Sequence, residues 1–178
     1  MRTSPVIGAL CGLLAASVAH GNTTPQAPSL SYLGTLNLTL APPIAVGVGP
    51  LGDRNFFAIT GGSFAGPVLS ATVPGVGGDW GLGDPLAGNF KVEARYHLRT
   101  ADGANIYGQS EGPQQGTLTH TRIKFETGHP NYQWLNTAVA VGIGSSDPEL
   151  KWTAIEMWQL ESPKPEGKGK GKERRRRM

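Results

Sequence analysis

The chain has 178 residues, enough for one domain with a sizeable core, and 26 of them are glycine and 14 proline while only 16% are charged. That balance excludes a long helical bundle and favours many short strands joined by tight turns. The formal charge of +3 comes from one end: residues 164–178 hold eight of the 16 basic and two of the 13 acidic residues. Without that tail and Arg2 the body carries seven basic and eleven acidic residues, a balance that excludes a nucleic-acid surface of the kind composition reveals.

Residues 1–21 have the form of an export signal, with Arg2 ahead of the apolar run Val6 to Val18 and small residues at Ala19 and Gly21. The run is too short to span a bilayer. Export implies a secreted protein, and Cys11, the only cysteine, would leave with the signal. The mature chain then has no disulfide and no thiol nucleophile. Asn22-Thr23-Thr24 and Asn37-Leu38-Thr39 are glycosylation sequons in that setting. Residues 22–162 make the folded domain. Residues 163–178 form a Pro, Gly, Lys and Arg tail that lacks the apolar area to order itself.

Leu30 to Leu40 alternates apolar and polar residues and predicts a strand with one buried face, stopped by Pro42 and Pro43. Ile44 to Val48 is a short apolar run leading into the turn Gly49 to Gly52. Asn55 to Thr60 predicts another strand, ended by Gly61-Gly62. The stretch from Gly61 to Trp80 then supplies a turn, a short apolar strand and a Gly-rich hinge that releases Asp79 beside Trp80. One reading aims both side chains into a cavity. The other has Asp79 capping the turn and Trp80 plugging a barrel end.

Gly81 to Asn89 predicts a loop. Phe90 to Arg99 is the clearest strand, with Phe90, Val92, Ala94, Tyr96 and Leu98 on one face and Lys91, Glu93, Arg95, His97 and Arg99 on the other. Asp102-Gly103 is a hairpin signal. Ala104 to Gln109 returns, and Gly112-Pro113 is expected to break the strand. Thr117 to Glu126, Tyr132 to Gly142 and Leu150 to Leu160 each alternate and predict three more strands. No segment shows a long helical period. The expected fold is an all-β antiparallel barrel, which would leave no open edge and could hold one small ligand; a β-sandwich is the alternative.

Six blocks in series carry a resemblance. They are Gly49-Pro50-Leu51-Gly52-Asp53-Arg54, Gly61 to Pro67, Pro74 to Trp80, Ala94 to Gly103, Phe125-Glu126-Thr127 and Tyr132 to Asn136. Across roughly residues 30–160 the chain resembles the family catalogued as domain of unknown function 3237, or uncharacterised protein family 0311. The resemblance implies a small lipocalin-like barrel. For a fungal member with an export signal it also implies cofactor-free chemistry of secondary metabolism, including intermolecular hetero-Diels–Alder cyclisation of a terpenoid or polyketide-like substrate. The export signal and basic tail depart from the compact bacterial pattern.

The residues themselves offer no familiar catalytic machinery. There is no HExxH and no phosphate-binding loop; Gly75 to Gly78 lacks both a lysine and a following helix. His97 and His120 have no metal-ligand spacing, so neither a metal nor a cofactor is expected. What remains is polar groups beside aromatics. Asp79, Arg95 and Glu126 are the candidate catalytic residues, and Trp80, Tyr96, Tyr107, Trp134 and Asn136 the candidate substrate-binding ones. Arg95 shares its face with a charged row, so it points inward only if that row lines a polar lumen. Trp134 and Asn136 fall on one face of their expected strand. The partner expected is a hydrophobic small molecule, held by an enzyme or by a carrier without turnover. A surface protein using its basic tail is the third possibility.

Overall fold

The computed structural model describes residues 25–163. The signal at residues 1–21, the Asn22 sequon and nearly all of the basic tail lie outside the described residues. Ten strands run β1 (Ser29–Leu40), β2 (Ile44–Gly49), β3 (Gly52–Ala65), β4 (Ser70–Val73), β5 (Gly77–Asp84), β6 (Asn89–Thr100), β7 (Asn105–Gln115), β8 (Leu118–Glu126), β9 (Ala140–Ser146) and β10 (Trp152–Glu161). A 3-10 helix, Pro130–Thr137, joins β8 to β9. All pairings are antiparallel, in the order β1-β10-β9-β8-β7-β6. Strand β6 then pairs with both β4 and β5, both of these pair with β3, and β3 returns to β1. The circuit closes as an eight-stranded antiparallel barrel, with β4 and β5 end to end in one position and β2 outside as a hairpin partner of β3.

Alternation decides which side chains enter the barrel. On β6 the inward set is Val92, Ala94, Tyr96, Leu98 and Thr100, as the sequence predicts. Half of the interior is solid. Leu36, Leu38, Leu98, Ile106, Leu135 and Met157 are fully buried there with Phe64, Ile123 and Phe125 around them. Leu135 enters this core from the 3-10 helix and closes that end.

Four local expectations change. The predicted strand Tyr132 to Gly142 is a helix up to Thr137, and strand only from Ala140. Pro130 sits at its first turn, where a missing amide costs nothing, and the Tyr132 amide already donates back to the His129 carbonyl at 3.0 Å. The alternation up to Thr137 is a coincidence of composition, since within the helix only Leu135 is buried. Gly112-Pro113 does not end β7; pairing with β8 skips both residues and resumes at Gln114, while β6 holds the strand on the other side. Proline has no donor for the ladder it interrupts. Gly61-Gly62 does not end β3 either. Gly62 has φ +148°, and a Cβ there would run into the Asn37 carbonyl, so glycine allows β1 and β3 to close the barrel. Finally, residues 77–84 are strand, not hinge and loop.

Candidate functional site

The other half of the barrel is hollow. A cavity of about 670 Å³ opens between the Leu40–Pro43 bend, the β7–β8 turn and the β9–β10 loop. Its wall has two characters. The arc from β1, β3 and β6 is apolar apart from Asn55 of β3, with Leu38, Leu40, Phe57, Ile59, Phe90 and Val92; Phe57 and Phe90 meet edge to face at 6.5 Å. The arc from β7 to β10 carries Ser110, Gln114, Thr119, Ser146 and Thr153. Neighbouring strands bring these polar groups together: Gln114 lies opposite Thr119, and Ser146 opposite Thr153, whose hydroxyls are 3.1 Å apart.

Asp79 enters this lumen from β5, on the apolar side. Its strand neighbours across the sheet are Phe57 on β3 and Ala94 on β6. Oδ1 accepts the backbone amide of Glu93 at 2.7 Å. Burial in the wall pushes its carboxyl up from 3.8 to about 6; the amide bond opposes the shift and the nearby Glu93 charge adds to it. A carboxyl in this setting passes between acid and base near neutral pH, as proton-transfer catalysis requires. The other carboxylate of the lining, Asp147, sits at the rim and accepts the Lys151 amide at 2.9 Å.

Trp80 follows Asp79 in a strand and therefore points the other way, so the two do not enter the cavity together. Its indole lies on the outer face, 5.2 Å from the Phe56 ring and beneath the Arg95 guanidinium at 5.4 Å. Arg95 is outside as well, paired with Glu93 at 2.7 Å. The charged row of β6 is thus the solvated face. Tyr107 and Glu126 are exposed on the outside, beside a shallow groove with His97 and Asn105. Tyr96 points inward but below the cavity floor, where its hydroxyl bonds Ser110 Oγ at 3.0 Å and burial pushes its phenol well above the usual range. Trp134 and Asn136 sit on the 3-10 helix, away from the lumen. Asn136 clamps Thr127, accepting its amide at 2.8 Å and donating to its carbonyl at 2.9 Å. Asn37 is exposed on β1, and the hydroxyl of its sequon partner Thr39 accepts from Thr60 at 3.0 Å.

Of the sequence-predicted site residues, the cavity therefore receives Asp79. Phe57, Phe90, Ser110, Thr119 and Thr153 line it as well, beyond the residues that the sequence pattern marks. Phe90 was legible, because it heads the inward face of β6; the others required the register across strands. Among the described residues no cluster of three or more His, Cys, Asp or Glu side chains could hold a metal, and no helix is long and apolar enough to cross a membrane.

A closed antiparallel barrel, solid at one end and open at the other over a mostly apolar cavity, puts the chain in the class of small eight-stranded β-barrels, whose interior has room for one small ligand. The chain belongs to the family described as protein of unknown function (DUF3237), whose pattern matches residues 28–118 and 112–160. It is 29% identical over 152 residues to a hydroalkoxylation enzyme, PhnH, of Penicillium herquei, an alignment spanning 85% of this chain and 97% of that one. It is 30% identical over 129 residues to a UPF0311 protein of Rhodopseudomonas palustris, across 62% of this chain and 84% of that protein. The crystal structure of a beta-barrel like protein from Acinetobacter baumannii superposes with a TM-score of 0.72 at 30% identity, covering 77% of this chain and 98% of the other.

Proposed function

We propose that this protein is an enzyme of fungal secondary metabolism that takes a hydrophobic terpenoid or polyketide-like molecule into the barrel and closes an oxygen-containing ring on it. The observation that carries this reading is Asp79, a carboxyl with a pKa of about 6 set in the apolar arc of an open cavity, facing a polar arc. The likeness to a hydroalkoxylation enzyme supports it.

Adding a substrate hydroxyl across a carbon–carbon double bond needs a proton for one carbon and an oxygen for the other. Protonated Asp79 gives its proton to the alkene. The substrate oxygen forms the C–O bond at the neighbouring carbon, and its own proton returns to the Asp79 carboxylate. The balance is an isomerisation that leaves the enzyme unchanged and needs no co-reactant. The apolar arc holds the hydrocarbon part, and the Ser, Thr and Gln arc receives the oxygen functions. Holding the two ends in contact contributes several kcal/mol, on the order of 7–11 in well-oriented systems.

An intermolecular hetero-Diels–Alder reaction uses the same parts differently. Protonated Asp79 would donate a hydrogen bond to the carbonyl of the oxygen-containing diene, and the cavity would hold both reactants. The two reactions are separated by offering an ortho-prenyl phenol alone, and an ortho-quinone methide with an alkene. Ring closure of the first that exceeds the buffer rate and disappears in Asp79→Asn supports hydroalkoxylation. Acceleration of the second alone supports cycloaddition. If both probes bind but react at the buffer rate, the protein is a carrier and the enzymatic reading fails. We further propose export through the secretory pathway with a glycan at Asn37. Intact mass of the protein recovered from a fungal culture medium tests both points.

A further inference from the structure

The wall of the barrel is broken beside Asp79. Strands β5 and β6 pair from Gly77–Tyr96 to Asp79–Ala94 and again from Leu82–Lys91, in one unchanged register, but the pairs Trp80–Glu93 and Gly81–Val92 between them are missing. A missing ladder bond in a barrel wall leaves an amide and a carbonyl to be satisfied elsewhere. Both are satisfied by side chains. The Glu93 amide donates to Asp79 Oδ1 at 2.7 Å from the lumen side, and the Trp80 carbonyl accepts Arg54 Nη1 at 2.7 Å from the outer side. Arg54 reaches it from β3, where it lies opposite Leu82. The indole of Trp80 is held on the same outer surface by Phe56 and by Arg95, itself fixed by Glu93.

We propose that Arg54 is a positioning residue for Asp79: by taking the Trp80 carbonyl it keeps the ladder open, so that the Glu93 amide stays available to orient the carboxyl into the cavity. The deduction is one of hydrogen-bond balance. If Arg54 releases the carbonyl, the nearest free donor is the Glu93 amide across the strand, and the ladder closes. Asp79 then loses its backbone donor while still facing the lumen. The charged groups near this bracket are Glu93, Arg54 and Arg95 in the wall, Glu111 opposite Glu93 on β7 with its partner Lys91, and Asp147 at the cavity rim. A guanidinium suits the task because it keeps its charge at every working pH and makes a strong bond to a carbonyl.

The test rests on the role given to Asp79 above only for its kinetic arm. In the unsubstituted protein, the Glu93 amide resonance is expected to move with the Asp79 side-chain carboxyl as pH is varied through about 6; an amide that ignores that titration overturns the proposal without any variant. In Arg54→Gln the two are expected to uncouple and the Asp79 midpoint to rise. In Arg99→Gln, which removes an equal charge further along the outer face of β6, coupling and midpoint are expected to persist. Coupling retained in R54Q overturns the proposal, as does an Asp79 midpoint that falls toward 4, because the carboxyl would then have left the wall. With a turned-over substrate, R54Q should lower kcat at least fivefold with KM little changed. If the resonances uncouple but no substrate is turned over by any form of the protein, the bracket stands and the enzymatic reading alone is lost.

Discussion

Replacing Asp79 by asparagine should make the protein more stable and inactive at once, and the size of the gain follows from the site. The asparagine Oδ1 can still accept the Glu93 amide, so the hydrogen bond is kept while the ionisation is removed. The carboxyl has a folded pKa of about 6 against 3.8 for the unconstrained group. Between those values the native state holds more protons than the unfolded chain, so stability falls as pH rises through that window and the loss is complete above about pH 6. At 1.36 kcal/mol per pH unit the loss is about 3 kcal/mol, and about 2 once the water that reaches this partly buried group is allowed for. The asparagine side chain does not ionise and escapes it. Urea unfolding of both proteins at pH 3.5 and 7.5 is the assay. The two should be nearly equal at the lower pH, and D79N the more stable by about 2–3 kcal/mol at the higher, or on the order of 5–10 °C in Tm. A gap that does not change with pH, or a wild type that is the more stable at pH 7.5, would refute the account of Asp79 as a carboxyl strained by its surroundings.

Ring closure that uses protonated Asp79 should fall as pH rises through about 6; a rate that is flat from pH 5 to 8 would remove Asp79 as the acid. Ala94 lines the cavity opposite Asp79 across the sheet, so Ala94→Trp should fill the lumen and weaken binding of an apolar fluorescent probe at least tenfold by titration. Gly108 lies where the Tyr96 ring crosses β7, and a Cβ there would overlap that ring, so Gly108→Ala should destabilise the fold by about 2–4 kcal/mol in denaturant titration. Leu135→Ala should cost about 3 kcal/mol by the same measurement, because it empties the end of a packed core. Removing residues 164–178 should leave probe binding and turnover unchanged, as these residues follow the last strand of the barrel.

Much of the architecture follows from short-range rules. Period-two alternation marks which side of β1 and β6 is buried, and the glycine and proline content forces tight connections. Those rules place Ala94 and Tyr96 inward and Arg95 outward, since adjacent strand residues must diverge. They mislead where the same composition suits two structures. Pro130 turns an apparently alternating segment into a helix, and Gly61-Gly62 serves a close strand crossing instead of a turn. Hinge chemistry also suggested that Asp79 and Trp80 act together, whereas a strand separates them to opposite sides of the wall.

The sequence by itself determined the class of fold, the faces of its clearest strands and the presence of one acid in the Gly-rich stretch before β6. Only the tertiary structure decided what that acid meets. Phe57, Ala94, the Glu93 amide and, through the Trp80 carbonyl, Arg54 come from β3 and β6, the two strands that flank its own, and their meeting depends on register and closure. Alternation is written into each strand by the geometry of one residue after the next. Register is a property of pairs far apart in the chain, settled only when the whole barrel closes.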